Sequence, residues 1–243
     1  MDSKNKIALV TGANKGIGFE IAKKLGAAGC TVILGARNEQ LGQAACDKLK
    51  AGGAAVEYLN LDLLKPETIE AAAAFIEKKY GRLDILVNNA GILDGGDGSP
   101  TKAAIDAVEI TLGTNFIGPL RVTQAMAPLL RKSQEGSIVN VSSALGSCAF
   151  NGDRNSPYAD TKYLGYSASK AALNMMTVQL AYEFRDTNIK VNSVCPGYCA
   201  TDINDNQGFL SAEEGAREPA RLALLDKEGP TGQYRNSEGA IPW

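Results

Sequence analysis

The chain has 243 residues, 44% hydrophobic and 21% charged, with a formal net charge of −2 and no histidine. This length suits one large α/β domain and can bury a sizeable core without disulfide staples. The near-neutral balance, with no basic run, argues against nucleic acid as a partner, and the missing histidine excludes Ser-His-Asp triads, Cys-His pairs and zinc–histidine sites.

The start, MDSKNKIALV, lacks the apolar stretch of a leader, and no segment approaches the roughly 18 apolar residues of a membrane helix. The five cysteines, Cys30, Cys46, Cys148, Cys195 and Cys199, are odd in number and show no framework spacing. Reduced thiols and a cytoplasmic location are expected, with no membrane partner. Cys195 and Cys199 sit close in sequence, but without a histidine to join them no metal site is predicted.

Six short aliphatic or β-branched runs punctuate the chain, at 6–10, 31–35, 55–61, 83–89, 136–142 and 189–194. They lack polar–apolar alternation, as expected of strands covered on both faces. The stretches between them are long enough for crossover helices. One, over 66–80, begins with a proline suited to a first helical turn. Long helices are predicted over 101–131 and 157–186, the latter with an apolar stripe through Leu173, Met176, Leu180 and Phe184. This alternation predicts an α/β fold, a doubly wound parallel sheet flanked by helices on both faces. Segments 93–100 and 144–156, rich in Gly, Asp, Asn, Ser and Pro, read as loops at strand ends, where such sheets place their ligands.

The first run leads straight into "VTGANKGIGFEIAKKL", with Gly12, Gly16 and Gly18. Glycine permits a tight turn and close backbone approach, and the following helix N-terminus faces an anionic pyrophosphate. After the second run a dinucleotide fold preferring NAD carries an acid that bonds the ribose 2′-hydroxyl. Here "LGARN" offers no acid at Ala36; Arg37 follows, and Lys15 lies in the glycine turn. Two cations there attract a 2′-phosphate, so NADP(H) is the expected cofactor. Asp62, after the third run, is a candidate for the adenine; a helix-capping or loop carboxylate is the other reading.

Two Tyr–Lys pairs share the i, i+4 spacing that puts side chains on one helix face: Tyr158 with Lys162, and Tyr166 with Lys170. The second belongs to a series of motifs: TGANKGIG (11–18), NNAG (88–91), Asn115, VNVSSALG (139–146), YSASK (166–170) and CPG (195–197). In this order, over nearly the whole chain, they strongly resemble the short-chain dehydrogenase/reductase family. The match is closest to its NADPH-dependent carbonyl reductase branch, through NKGIG, SAEEGA (211–216), LALL (222–225) and the tail GPTGQYRNSEGAIPW.

The resemblance implies a single-domain Rossmann fold over 1–243, with about seven strands and a substrate lid around 202–215. It implies a catalytic set of Asn115, Ser143, Tyr166 and Lys170. Ser143 is preferred over Ser142 because the second serine of VNVSS bears the family's substrate-binding hydroxyl. Tyr166 precedes Pro196 by 30 residues, the family's helix-plus-strand interval, and leads into SKAAL; Tyr158 precedes it by 38. Ser143 is 23 residues before Tyr166, which implies an insertion of about ten residues between them. The implied cofactor site takes Gly12, Asn14, Lys15, Gly16, Ile17, Gly18, Arg37, Asp62, Leu63, Asn89, Ala90, Gly91, Tyr166, Lys170, Pro196, Gly197, Cys199 and Thr201.

In the implied reaction Tyr166 gives its phenolic proton to a carbonyl oxygen, with its pKa lowered by the Lys170 ammonium, while Ser143 bonds the same oxygen. The substrate is then a small carbonyl or alcohol, with Phe150, Tyr158, Tyr198 and Phe209 as candidate pocket walls. An alcohol or hydroxysteroid-type dehydrogenase running oxidatively is the alternative; a non-catalytic NADP(H) sensor is a third reading. Many relatives assemble through the helices that match 101–131 and 157–186, and a long insertion before the tyrosine can block that face. With a short insertion, a homo-oligomer, dimer or tetramer, is expected here.

Overall fold

The computed structural model describes residues 5–243, so the first four residues of the start, and of the 1–243 span, lie outside the described residues. The six apolar runs carry strands β1 (Ile7–Thr11), β2 (Thr31–Ala36), β3 (Val56–Asn60), β4 (Ile85–Asn88), β5 (Ser137–Val141) and β6 (Lys190–Val194). Two short strands follow, β7 (Tyr234–Asn236) and β8 (Gly239–Ala240). They form one sheet in the order β3-β2-β1-β4-β5-β6-β7-β8. Every pair is parallel except β7 with β8. The eighth strand exceeds the expected seven because a local turn makes it: the Asn236 side chain accepts from the amides of Glu238 and Gly239. β1, β4 and β5 are buried throughout, but β3 is an edge strand and buries only Val56, so the two-face expectation fails there.

The helices are α1 (Gly16–Ala27), α2 (Glu39–Ala51), α3 (Pro66–Tyr80), α4 (Ile105–Leu112), α5 (Gly118–Leu130), α6 (Cys148–Gly152), α7 (Leu164–Glu183), α8 (Ala212–Gly215) and α9 (Arg217–Ala223). Ile21, Leu25, Cys46, Leu49 and Leu222 pack α1, α2 and α9 on one face of the sheet. Ile69, Ile76, Val122, Met126 and Phe184 pack α3, α5 and the end of α7 on the other. Burying an aliphatic side chain of this kind contributes about 1.5–3 kcal/mol, so these two layers hold the fold together.

Both long helices differ from expectation. The 101–131 stretch begins helix only at Ile105 and is divided by a π-helical turn, Gly113–Ile117. A π-turn inserts one extra residue and is common at functional sites; this one holds the fully buried Asn115. The 157–186 stretch begins helix only at Leu164. Its start is set from outside: the Asp97 carboxylate accepts from the amides of Gly165 (2.9 Å) and Tyr166 (2.8 Å), and the Gly98 carbonyl accepts from Leu164 (2.8 Å). These partners satisfy amides that a helix start leaves unpaired and place a negative charge at its positive end. No helix among the described residues is long and apolar enough to cross a membrane.

Candidate active site

β1 lies between β2 and β4, so the winding direction reverses at its C-terminal end, where such sheets open a ligand crevice. A cleft of about 660 Å³ opens there. Gly12 and Gly16 bend its floor at positive φ, +63° and +58°. Gly18 has no space for a side chain: a Cβ would lie 2.3 Å from Asn89 Nδ2 and 2.5 Å from the Gly12 carbonyl oxygen. Thr11 Oγ1 accepts from the backbone amides of Asn89 and Ala90, both at 3.0 Å, and the Asn89 side-chain Nδ2 donates to the Thr11 carbonyl at 2.9 Å. These bonds tie NNAG to the glycine turn. α1 starts without a side-chain cap and with no acid in its first turn, so its free amides and dipole are left for an anion. The residues present therefore fit a dinucleotide pyrophosphate.

Gly12, Asn14, Lys15, Gly16, Ile17, Gly18, Arg37, Asp62, Leu63, Asn89, Ala90, Gly91 and Thr201 all line this cleft. Arg37 is exposed at the end of β2 and forms no ion pair with a described residue. Lys15 is ion-paired with Asp202 at the opposite rim. Asp62 also serves a local turn, accepting from the Leu64 amide at 3.1 Å. Tyr166, Lys170, Pro196, Gly197 and Cys199 are not in the cleft wall. The Cys199 thiol donates to the Pro196 carbonyl (3.3 Å) and packs on α8, where a Cβ at Gly215 would lie 2.3 Å from its sulfur. Leu41, Ile92, Thr114, Asp202 and Ile203 line the cleft without having been singled out. Ile92, Thr114 and Asp202 each adjoin a motif residue, which was the available signal.

At one end of the cleft, Gly91 leads to a cluster of polar side chains. A Cβ on Gly91 would lie 3.4 Å from both Lys170 Nζ and Asn115 Oδ1. Asn115 clasps Ile92, accepting from its amide at 2.8 Å and donating to its carbonyl at 2.9 Å, and donates to Ser169 Oγ at 3.0 Å. Its side chain thus binds the loop after β4 to α7 and makes no direct bond to the lysine. Lys170 Nζ donates to the Val141 carbonyl at 2.9 Å and lies 5.6 Å from the centre of the Tyr166 ring. Ser143 Oγ accepts from the Leu145 amide at 3.3 Å and stands near enough to the Tyr166 phenol to favour its ionised form. Its neighbour Ser142 is buried and turned toward the Lys170 carbonyl, 3.5 Å away. Burial pushes the Tyr166 phenol up to about 12, opposed by Ser143. Burial also holds the Lys170 ammonium down at about 8. Desolvation is the largest influence on both groups, and the opposing influence on the phenol comes from Ser143.

The rival pair does not lie on a helix. Residues 157–163 precede α7, so the helical spacing does not apply to Tyr158 and Lys162. Lys162 is exposed, and Tyr158 packs on Phe150, with ring centres 5.6 Å apart, beside Ala144, Cys195 and Tyr234. Tyr198 and Phe209 form an exposed edge-to-face pair 5.9 Å apart, with Phe209 83% exposed. The segment between them is pinned at its neck, where Ala200 donates to the Leu210 carbonyl (2.8 Å) and Leu210 to the Tyr198 carbonyl (3.2 Å). α8, the last part of the expected lid, instead packs beside α1, where Lys24 lies 3.7 Å from Glu213.

Comparison with known proteins agrees with this geometry. Carbonyl reductase [NADPH] 1 of Mus musculus is 36% identical over 286 aligned positions that cover 100% of both chains. The (+)-neomenthol dehydrogenase of Capsicum annuum is 32% identical, covering 96% of each. Among solved structures, an NADPH-bound carbonyl reductase from chicken fatty liver superposes with a TM-score of 0.86 at 28% identity, over 99% of this chain and 100% of that one. Residues 6–209 match the family model for short chain dehydrogenases. With that match and these relatives, the chain belongs to the short-chain dehydrogenase/reductase family.

Proposed function

We propose that the protein is an NADPH-dependent carbonyl reductase that converts ketones or aldehydes to alcohols. One observation carries the reading: Tyr166 and Lys170 share a face of α7, with Ser143 beside the phenol, next to Gly91 at the end of a cleft that presents Lys15 and Arg37. The cofactor would be held by the glycine turn, Asp62, Leu63, Asn89 to Gly91 and Thr201, with Lys15 and Arg37 toward a 2′-phosphate, and would supply the hydride. NADPH-dependent relatives support that choice. Pro196, Gly197 and Cys199 would contribute through the loop that carries Thr201.

Tyr166 donates its proton to the substrate oxygen as negative charge develops there. With a pKa near 12 the phenol is fully protonated at neutral pH, as a donor must be. Ser143 donates a second hydrogen bond to that oxygen, worth most where water is excluded. Lys170, when charged, favours the phenolate left behind, and Asn115 fixes the loop against which the ammonium sits. The same atoms serve alcohol oxidation, which the neomenthol dehydrogenase relative favours; the supply of oxidised or reduced cofactor sets the direction.

Residues 202–210 serve as the substrate lid, with Tyr198 and Phe209 as its apolar wall, which suits ketones with a sizeable hydrocarbon body. The enzyme works as a homo-oligomer. The outer side of α7 carries Leu164, Ala168, Ala171, Met175, Val178 and Tyr182, an alternating four-and-three spacing like a coiled-coil seam. Met175 (58%) and Tyr182 (68%) are exposed, as are Ile110 and Ile117 on the neighbouring helix segments. The mouse relative aligns over 286 positions against 243 residues here, so it carries segments this chain lacks. With five free cysteines, the cytoplasm suits the protein.

The test is consumption of NADPH and of NADH over a panel of ketones, aldehydes and dicarbonyls. NADPH-selective turnover is expected, and Tyr166→Phe should lose about 10²- to 10⁴-fold while still binding cofactor. An unchanged rate in that variant would overturn the assignment of Tyr166; equal use of NADH would overturn the role of Lys15 and Arg37.

A further inference from the structure

The turn that carries Ser143 has left the regular sheet. β5 ends at Val141, and residues 144–146 form a single 3₁₀ turn. Its backbone groups are captured by side chains from three separate elements. The Ser143 carbonyl accepts from the Gly146 amide at 2.7 Å and also from the Tyr234 hydroxyl of β7. The Ala144 amide donates to the Cys195 sulfur at 3.2 Å. Asn174 of α7 donates to the Gly146 carbonyl at 3.2 Å and is itself held by Ser193 Oγ at 2.7 Å. Gly146 allows the turn to lie directly on α7 at Lys170, where a Cβ would come within 2.8 Å.

Tyr234 is 1% exposed, and packing alone does not account for it. Among Ala144, Cys195 and Ile241 a phenylalanine would fill the same space without the cost of burying a hydroxyl. The hydroxyl instead reaches the carbonyl of Ser143, whose side chain stands beside the Tyr166 phenol and is held by the Leu145 amide of the same turn. The end of the chain holds Tyr234 in turn. The Trp243 ring lies 5.4 Å from the Tyr234 ring, the Pro242 carbonyl accepts from Ser147 Oγ at 2.7 Å, and the Trp243 carbonyl accepts from the Ala149 amide at 3.2 Å.

We propose that Tyr234 is a positioning residue for the Ser143 hydroxyl, and that residues 234–243 form the back wall of the catalytic site. The inference rests on the reading of Ser143 and Tyr166 as the proton-transfer pair. Filling both acceptor positions of the Ser143 carbonyl fixes the backbone from which its hydroxyl projects toward the phenol. A serine free to rotate away would still leave a folded, cofactor-binding protein, but one whose transition-state oxygen lacks a donor.

The test is Tyr234→Phe, assayed in both directions across pH. We expect kcat to fall roughly ten- to a hundred-fold, as small misplacements near reacting groups do, with the KM for NADPH unchanged because Tyr234 lies outside the cleft wall. The rising limb of alcohol oxidation should move to higher pH, since a loosened Ser143 no longer favours the phenolate. In a Ser143→Ala background the same change should cost nothing further. Trp243→Ala, which loosens Tyr234 from outside, should show the same kinetic pattern more weakly. Equal losses with and without Ser143, or a fall in melting temperature with kcat and pH profile intact, would overturn the proposal. A wild-type protein that binds NADPH and turns over nothing would overturn the functional reading itself, and this inference with it.

Discussion

Lys170 and Lys15 are cations in opposite situations. Lys170 is buried, and desolvation holds its pKa at about 8 against an ordinary 10.5. Between those values the unfolded chain binds the proton and the folded one has lost it, so this group makes stability rise with pH from about 8 to 10.5. Below 8 the burial cost is constant. The stability of the wild type relative to Lys170→Met should therefore increase across that window by up to about 3 kcal/mol, read by chemical denaturation at several pH values. A difference that stays flat would mean that Lys170 is not desolvated. Lys15 is exposed and paired with Asp202. A surface pair of this kind contributes about 0–1 kcal/mol, so a 2′-phosphate can displace Asp202. Lys15→Met should weaken NADPH binding about ten-fold, the loss of one charge-assisted bond, and leave NADH nearly unaffected. Titration of cofactor fluorescence decides between this and a role confined to the surface pair.

Between residues and the whole fold, helix starts and turns decide where the catalytic groups stand. Asp97 belongs to the loop after β4 yet caps α7 at Tyr166. Asp97→Ala should cost about 1–2 kcal/mol in stability, as the loss of an N-cap does. The accompanying loss of kcat should exceed that of a polar contact removed outside the cleft, such as Ser133→Ala, which removes a hydrogen bond to Asp84 just before β4. If both variants lose the same small fraction of activity, the cap sets stability alone. The lid tip gives a second expectation at this scale. Phe209→Ala should raise the KM for bulky apolar ketones several-fold while leaving small aldehydes and NADPH unchanged, because it removes apolar wall and touches no reacting group.

At the scale of the whole molecule, α7 carries apolar side chains on two sides. The inner side of α7 buries Leu173 and Met176, and its outer side presents the Leu164-to-Tyr182 seam. A contiguous exposed apolar seam of this kind marks a surface covered by another protein chain. Met175→Glu places a charge in that seam without disturbing the core, since Met175 is exposed in the single chain. Sedimentation should show an oligomer for the wild type and a monomer for the variant, with an unchanged circular dichroism spectrum. A monomeric wild type at tens of micromolar protein would remove the argument.

The sequence by itself determined the six parallel strands and the glycine turn. These depend on local patterns: unbroken apolar runs and glycines at fixed spacing. The choice of Tyr166 over Tyr158 came from the resemblance to the family. The sequence left Ser142 and Ser143 separable only by resemblance, because adjacent residues differ in which way they face, and that is set by the turn after β5. Only the tertiary structure decided that Asp97 starts α7, that Asn115 sits in a π-turn clasping Ile92, that Lys15 meets Asp202 and that Tyr234 holds Ser143 from 91 residues away. Each is a polar contact between segments distant in sequence. A hydrogen bond of this kind leaves no periodic trace in the chain, since its geometry exists only once the two elements have packed.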